Sequence, residues 1–411
     1  MSGAAAGQTP LTSRQLGACA FFIFAPVGVQ MPFFPLWLAN RGFTPSLIAL
    51  LLGVAPIVRF AANLTIPPQA DRSGDAAGVL LACAALTAIA QGLSGLPLGI
   101  AWIFILSLVA TAGQGPMVPL LDSIVLREVQ RRAVTREPSL DYGRVRGLGS
   151  ISVLLLMLTA GAAAAILPTS AIIWFITGTS AIAAVAVAVF LPRVKSARRR
   201  GAAAVIHTPL ANRGLIVLVI AASSAIQASH GMIYAFGSIG WRQRGFGDGA
   251  IGLLWASGVA TEVALFVFAA KLARGRSMSY SLLVIGSLVA VIRWLIMASD
   301  PVPALLQFAQ LLHAGSFAAT YLGAVVAIAT LAGEARRAQV QGWVSAANAL
   351  TLAAVTIISG PLWATYGMAS YLFVAALAAA GLGCAIAAAL RSGRAIHPQS
   401  AGSGGETTEP S

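Results

Sequence analysis

Hydrophobic and polar positions in this chain separate into long blocks rather than alternating residue by residue. Apolar runs near twenty residues, divided by Pro/Gly turns or charged loops, recur about twelve times, and runs of that length fit membrane-crossing helices. The expected spans are 15–38, 46–66, 76–96, 98–121, 145–167 and 171–191, then 215–240, 251–270, 280–299, 302–331, 340–363 and 370–390. The pattern predicts an all-α membrane protein with 12 transmembrane helices in two six-helix halves, 15–191 and 215–390. A basic linker, 192–214, joins the halves, with a short tail at 1–14 and a Gly/Ser-rich tail at 391–411 expected to be disordered. No clear residue-level repeat relates one half to the other.

Composition agrees with this pattern. Of 411 residues 58% are hydrophobic and only 9% charged, and the mean hydropathy is +0.85. An ordinary soluble domain carries about a quarter charged residues. The net charge of +14 would point to nucleic acid in a soluble chain. Here the basic residues sit in the loops, so a lipid bilayer is the expected partner and nucleic acid is not. Cys19, Cys83 and Cys384 all lie in apolar stretches without CxxC or metal spacing, so neither a disulfide scaffold nor a metal site is expected. No nucleotide loop, HExxH or Ser/His/Asp constellation occurs, and the reading is of a protein that is not an enzyme and has no cofactor. The first residues lack a basic n-region and a cleavage site, so the first span is expected to be a permanent helix.

The basic residues also give an orientation. Of the 26 Lys and Arg, 21 fall in segments on the N-terminal side of the membrane, and only Arg41, Arg242 and Arg244 fall in loops on the opposite face. Arg59 and Arg293 lie within spans. By the positive-inside rule both termini are cytoplasmic, as in a protein of the prokaryotic inner membrane.

Ionisable groups inside the spans are few, and an intramembrane charge costs enough that it normally faces protein or a water-filled cavity. Ser223, Gln227, His230 and Tyr234 share one helical stripe, and Trp255, Gly258 and Glu262 share another on the next span. Glu262 is the only acidic residue deep within any span. His313 lies near mid-depth of the tenth span on a stripe with Gln310, Phe317 and Thr320. Arg293 is about 20 Å from the basic end of its span at 1.5 Å per residue, too deep to snorkel easily. Two readings stay open for this set: a proton-handling site using Glu262, His230 and His313, or a buried polar group that joins helices. Arg59 is equally open between helix pairing and an anion role. Asp122 ends the fourth span where Arg144 and Arg146 begin the fifth, an arrangement that suits a gate or structural ion pair at the basic face. Gly143 and Gly147 have the G-x-x-x-G spacing that permits close helix approach.

Two six-helix halves around a basic loop resemble the major facilitator superfamily, whose halves are themselves inverted three-helix repeats. The segments MPFFPLWLANRGFT, PMVPLLDSIVLRE, DYGRVRGLGSI, QASHGMIYAFGSIGW, IGLLWASGVATEV, VIRWLIMAS, QLLHAGSF and ISGPLW resemble one branch of it. That branch is the permeases for phenylpropionate-type aromatic acids, near the sugar and nucleoside proton symporters. The superfamily's loop after the second helix is matched at Asp71, Arg72 and Gly74, implying a gating role, but its first Gly and its final basic residue are missing. Tyr321 stands where branch members often have a second histidine. The resemblance implies that the first helix of each three-helix unit lines the path, placing Gln30, Phe33, Phe34, Gln114, Met117, His230, Tyr234, Phe236, His313 and Phe317 along it. Such a cavity suits a flat apolar ligand with one polar end.

The function expected is proton-coupled uptake of a small organic acid, an aromatic carboxylate, by a monomer. Arg293 would select the charge, with Gln30, Phe34, Gln114, Gln227, Tyr234 and Phe317 around the ligand. The alternatives are a proton symporter for a neutral sugar or nucleoside and a proton-driven efflux antiporter. The antiporter is disfavoured because the fifth span lacks the G-P motif of many exporters. The orientation is open to test with a cysteine introduced at Ser196 in a cysteine-free background. It should resist a membrane-impermeant thiol reagent in intact cells and react after permeabilisation. Labelling of intact cells would reverse the topology.

Overall fold

Each apolar block becomes a helix, and the short polar breaks between blocks supply the caps. The computed structural model describes residues 11–191, 212–272 and 276–396. The expected linker lies outside the described residues as far as 211, as do 1–10 and the tail from 397. The first half contains α1 (Ser13–Asn40), α2 (Pro45–Ser73), α3 (Ala76–Ser94), α4 (Ile100–Thr135), α5 (Tyr142–Ala164) and α6 (Thr169–Phe190). The second contains α7 (Arg213–Gln243), α8 (Asp248–Leu272), α9 (Arg276–Ala298), α10 (Pro303–Leu331), α11 (Gly333–Tyr366) and α12 (Tyr371–Ile396). Eleven described stretches are long and apolar enough to cross a bilayer, the last of which, Gln339–Ser392, joins α11 to α12. Separating these two at Gly367, whose φ is +53°, gives twelve. The fold is all-α, and α12 runs on to Ile396.

Thr12 closes a capping box with Gln15 at the start of α1. Thr44 caps α2 with Pro45 in its first turn, and Asp75 and Asp141 cap α3 and α5. A capping side chain occupies amide donors that the first helical turn leaves free. Gly74, with φ +72°, ends α2 in the left-handed conformation that glycine adopts freely.

Three helices are not continuous. α4 breaks at Gly115–Pro116 between Ile100–Gln114 and Met117–Thr135. α7 breaks at His230 between Arg213–Ser229 and Gly231–Gln243. α10 passes through a π-helical segment, Ala314–Ala319, directly after His313. Each break lies beside a residue that the sequence marks as functional: Gln114, His230 or His313. Irregular backbone at this depth is tolerated where it is buried in protein or lines a cavity, and π-bulges often accompany functional sites.

The apolar core is divided unequally between the two ends of the molecule. Near the turns that follow the odd-numbered helices, one cluster spans both halves, including Val29, Trp37, Ile48, Met157, Met232, Ile251 and Trp363. Near the basic face the core is split. One cluster belongs to the first half (Leu16, Ile23, Leu80, Leu120, Val145) and a separate one to the second (Ile216, Val219, Leu283, Ile328, Val340). The halves are therefore joined at the non-basic face and parted at the basic one.

Glycines allow the closed end to close. A Cβ on Gly252 of α8 would lie 2.6 Å from the Met157 carbonyl oxygen of α5, and one on Gly161 2.9 Å from that of Asp248. Across α2 and α11, a Cβ on Gly53 would stand 2.9 Å from the Ala353 oxygen, and one on Gly360 2.9 Å from Ser46 Cα. Gly143 and Gly147 do not play this part: neither would meet a neighbouring helix. Their spacing matches the motif, but the backbones that approach are elsewhere.

The three loop arginines of the non-basic face tie its turns together. Arg41 donates to the Leu96 carbonyl at 2.9 Å, and Arg244 pairs with Asp300 at 2.7 Å. Arg242 bonds Asp248 and, across the halves, Thr169 at 3.2 Å. At the basic face, Glu128 holds Arg131 and Arg132, while Arg132 reaches the Leu11 carbonyl at 2.6 Å. Arg131 also grips Glu137, in the turn after α4, and holds its carboxyl below the usual carboxylate range.

Gly252→Leu should therefore loosen the closed end. Overpacking costs about 1–3 kcal/mol, enough to shift a two-state equilibrium roughly tenfold. A cysteine at Ala49 should then react several-fold faster from the non-basic side than in the Gly252 parent. Equal rates would show that this glycine contact does not set the closure.

Candidate functional site

Two constellations lie near mid-depth, one within the second half and one between the halves. The first is a chain of charged and ring groups in the second half. Arg293 on α9 donates to His313 Nδ1 at 3.0 Å, to Ser316 Oγ at 3.1 Å and to Gln310 Oε1 at 3.1 Å. Its guanidinium lies 4.7 Å from the Trp294 ring centre, and the residue is only 2% exposed. All three acceptors come from α10, where the break turns them toward α9. His313 Nε2 stands 3.2 Å from Glu262 Oε2 on α8. Gly258, one turn before Glu262, packs against Gln310 and His313, so these two residues of the stripe face α10, while Trp255 packs on α7, its indole N–H bonded to Ser238 Oγ.

This geometry assigns the His313 tautomer. A guanidinium can only donate, so Nδ1 accepts and the ring proton sits on Nε2, directed at the Glu262 carboxylate. His313 cannot take a second proton on Nδ1 without giving up its bond to Arg293. Of the two, Glu262 is the more accessible, its side chain 23% exposed against 6% for His313.

His230 is fully buried beside this chain. Its Nδ1 lies 2.9 Å from the Ile226 carbonyl, which requires the proton there, and its Nε2 lies 3.3 Å from Ser316 Oγ. The ring is T-shaped against Trp294 at 5.0 Å, His313 at 5.5 Å and Phe317 at 5.3 Å. Among the described residues no hydrogen bond joins His230 to Glu262; Ser316 and Arg293 stand between them. Gln227 donates to the Phe317 carbonyl at 3.2 Å, satisfying backbone near the π-helical segment. Trp294 Nε1 bonds Ser229 Oγ at 2.8 Å.

The second constellation is a cavity of about 310 Å³ between α1, α2, α4, α7 and α11. Gln30, Phe34, Gln114 and Tyr234 line it, as expected of the path, together with Arg59, Ser107, Thr111 and Thr356. Gln114 Nε2 donates to Gln30 Oε1 at 3.0 Å, and Arg59 lies 3.5 Å from Gln114 Oε1. Tyr234 is the partition between the two constellations. It borders the cavity, lies 6.0 Å from the His230 ring and stacks on Trp255 at 6.2 Å. Arg293, Gln227 and Phe317 do not line this cavity.

The expected gating residues are dispersed. Asp71 pairs with Arg127 on the extension of α4. Arg72 and Arg144 are exposed, and Asp122 faces Tyr142 near Arg146, whose guanidinium lies over Phe24 at 4.2 Å. No ion pair joins Asp122 to Arg144 among the described residues. Tyr321, at 45% exposure, takes no part in the site. Sequence reasoning missed Ser316, the hydroxyl that links Arg293 to His230, because a serine in an apolar span gives no signal by itself.

Comparison with known proteins places this geometry in a family. A model of the MFS_1 like family matches residues 14–375. The chain belongs to that family. It is accordingly an integral membrane transporter rather than an enzyme. The chain is similar to the "Probable 3-phenylpropionic acid transporter" of Escherichia coli (strain K12), with 27% identity over 362 residues, 87% of this chain and 92% of that protein. It is also similar to the "Maltose permease" of Geobacillus stearothermophilus, 27% identical over 68% of this chain and 70% of that protein. Among solved structures, nucleoside transporter NupG superposes with a TM-score of 0.76 at 17% identity, covering 92% of this chain and 98% of that one. The human organic anion transporter MFSD10 gives 0.61 at 16% identity over 92% and 100%. At these identities the solved structures support the transporter fold alone.

Arg293→Met would leave His313, Gln310 and Ser316 without their shared buried donor, at about 1–3 kcal/mol for each unsatisfied group. The variant should unfold several degrees lower in detergent, read by fluorescence-detected thermal shift. An unchanged midpoint would show that these bonds contribute no net stability.

Proposed function

We propose that the protein takes up a small organic acid, an aromatic carboxylate of the phenylpropionate type, together with protons. The observation that carries this reading is the Arg293–His313–Glu262 chain. It holds a carboxylate able to exchange a proton inside the membrane, against a histidine whose other nitrogen is already occupied. Glu262 is the proton-coupling group, with His313 orienting it and His230 fixed alongside through Ser316. Arg293 balances the charge of Glu262 while that carboxyl is ionised. The ligand occupies the neighbouring cavity, where Phe34 and Tyr234 offer ring faces and Gln30 and Gln114 offer amides. The E. coli relative, named a probable 3-phenylpropionic acid transporter, supports the substrate class.

In this reading the basic face, parted in the present conformation, is cytoplasmic. Both termini lie on that side of a prokaryotic plasma membrane, and the monomer is the working unit. Loading from outside requires the closed end to open while the basic end closes. Asp71, Arg72, Asp122 and Arg144 lie where that closure would bring the halves together.

A neutral sugar or nucleoside is the second reading, favoured by the amide pair Gln30–Gln114 in the cavity wall and by the maltose permease relative. Charge movement separates the two. One proton with one monoanion moves no net charge, whereas one proton with a neutral ligand carries one. Uptake at zero pH gradient should be insensitive to membrane potential in the first case and driven by it in the second.

Glu262→Gln mimics the protonated carboxyl and keeps its size. Reconstituted into liposomes, this variant should lose accumulation driven by a pH gradient while retaining counterflow exchange of labelled substrate. A folded variant that still accumulates substrate in step with the gradient would place coupling elsewhere.

A further inference from the structure

The two arginines inside the membrane are in opposite circumstances. Arg293 is buried with three acceptors. Arg59, about 21 Å along α2 from Pro45 at 1.5 Å per residue, borders the cavity and is exposed. Among the described residues no carboxylate lies within ion-pair distance of it, and its hydrogen-bond partner is Gln114 Oε1 at 3.5 Å, the long limit for such a bond. A cation at this depth normally has a counter-charge or serves a ligand. Among the described residues Arg59 has no protein counter-charge.

The surroundings hold its head group in place without neutralising it. Gln114 is fixed by its own donation to Gln30 at 3.0 Å, which turns its oxygen toward Arg59. A Cβ on Gly115 would fall 2.8 Å from Arg59 Cγ, so the absence of a side chain at this glycine is what lets the arginine stem cross α4 closely. The cavity beyond is otherwise largely apolar, with Met31, Phe34, Leu52 and Pro56 from the first half and Tyr234 and Leu352 from the second. Its volume of about 310 Å³ falls at the lower end of the range for small-molecule sites.

We propose that Arg59 is the anchor for the ligand's carboxylate, with the apolar body of the ligand lying against Phe34 and Tyr234. The proposal rests on the organic-acid reading above and adds a division of labour to it. The first half recognises the anion through Arg59, and the second half handles the proton through Glu262. Arg293, expected from the sequence to select the charge, is committed to His313 instead. A guanidinium suits the task because it offers two parallel donors to a carboxylate. Since Tyr234 touches both the cavity and His230, a ligand seated on Arg59 bears directly on the proton site.

Binding by purified protein in nanodiscs tests this, with 3-phenylpropionate and benzoate as probes and their amides as neutral counterparts. The parent protein should bind each acid at least tenfold more tightly than its amide. Arg59→Gln, checked for a monodisperse profile, should bind acid and amide alike, mainly through weaker acid binding. Arg59→Lys should restore part of the preference, since the charge returns without the fork. A preference that survives intact in Arg59→Gln overturns the anchor and leaves the organic-acid reading standing. A parent protein that binds neither acid, or prefers the amides, overturns the organic-acid reading and the anchor with it.

Discussion

The cost of placing a charge and broken backbone in hydrocarbon organises this molecule. Arg293 can stay ionised at its depth because α10 stops being a regular helix at His313 and presents Gln310, His313 and Ser316 to α9. The break at His230 in α7 depends on the same solution: its ring bonds the Ile226 carbonyl and meets Ser316. Nearby, Gln227 covers the Phe317 carbonyl. One serine hydroxyl and one guanidinium thus bring together α7, α9 and α10, and His313 extends the connection to α8 through Glu262. Helix association in a bilayer lacks the hydrophobic drive available in water, so packing and polar contacts of this kind carry more of it.

The division of the apolar core turns that local arrangement into a conformational one. A single cluster unites the halves at the non-basic end, and two separate clusters sit at the basic end. Packed cores are bistable rather than continuously deformable, so this division would favour movement of the halves as bodies over gradual deformation. The close approaches at Gly161, Gly252, Gly53 and Gly360 are backbone against backbone or small side chain. The cavity and the Glu262 chain lie just inside this closure, where a change of state would alter their access.

Most of the fold was legible because the bilayer forces long apolar blocks, and those blocks became the helices, most with modest shifts at their ends, although α4 runs well past its expected end at 121, to Thr135. The scarcity of deep acids led to Glu262, and in the structure it meets His313. The stripe drawn through Ser223, Gln227, His230 and Tyr234 shows the limit of such reasoning. A 3.6-residue period assumes one unbroken helix, but α7 breaks at His230, so His230 is buried against α9 and α10 while Tyr234 borders the cavity. The pairing of Arg293 was hidden for a related reason. Gln310 and His313 share a regular stripe, but Ser316 stands inside the π-helical segment, off that period, and nothing in the sequence aims the three at α9. Arg59 was visible as an intramembrane charge, but only the structure shows that no acid among the described residues answers it.

Charge accounting across the two sites constrains the order of events. On the proposed reading, with His313 neutral and Glu262 ionised, an empty site would set Arg293 against Glu262 and leave the positive charge of Arg59 over. With a carboxylate on Arg59 and a proton on Glu262, as proposed, the excess is again one. The loaded and empty carriers then present the same charge to the membrane as they cross. A proton without the anion would raise the excess to two, with both guanidiniums unbalanced in a medium of low dielectric. An anion without the proton would leave none. If Arg59 takes the anion and Glu262 the proton, the favourable sequence would be anion first and proton second, because the bound carboxylate would remove the repulsion that protonating Glu262 otherwise creates. Coupling would then need no direct contact between ligand and Glu262. On that reading the anion would cancel the charge of Arg59 while the proton uncovered that of Arg293, so the charge that crosses would stay constant only when both cargoes were aboard or both absent.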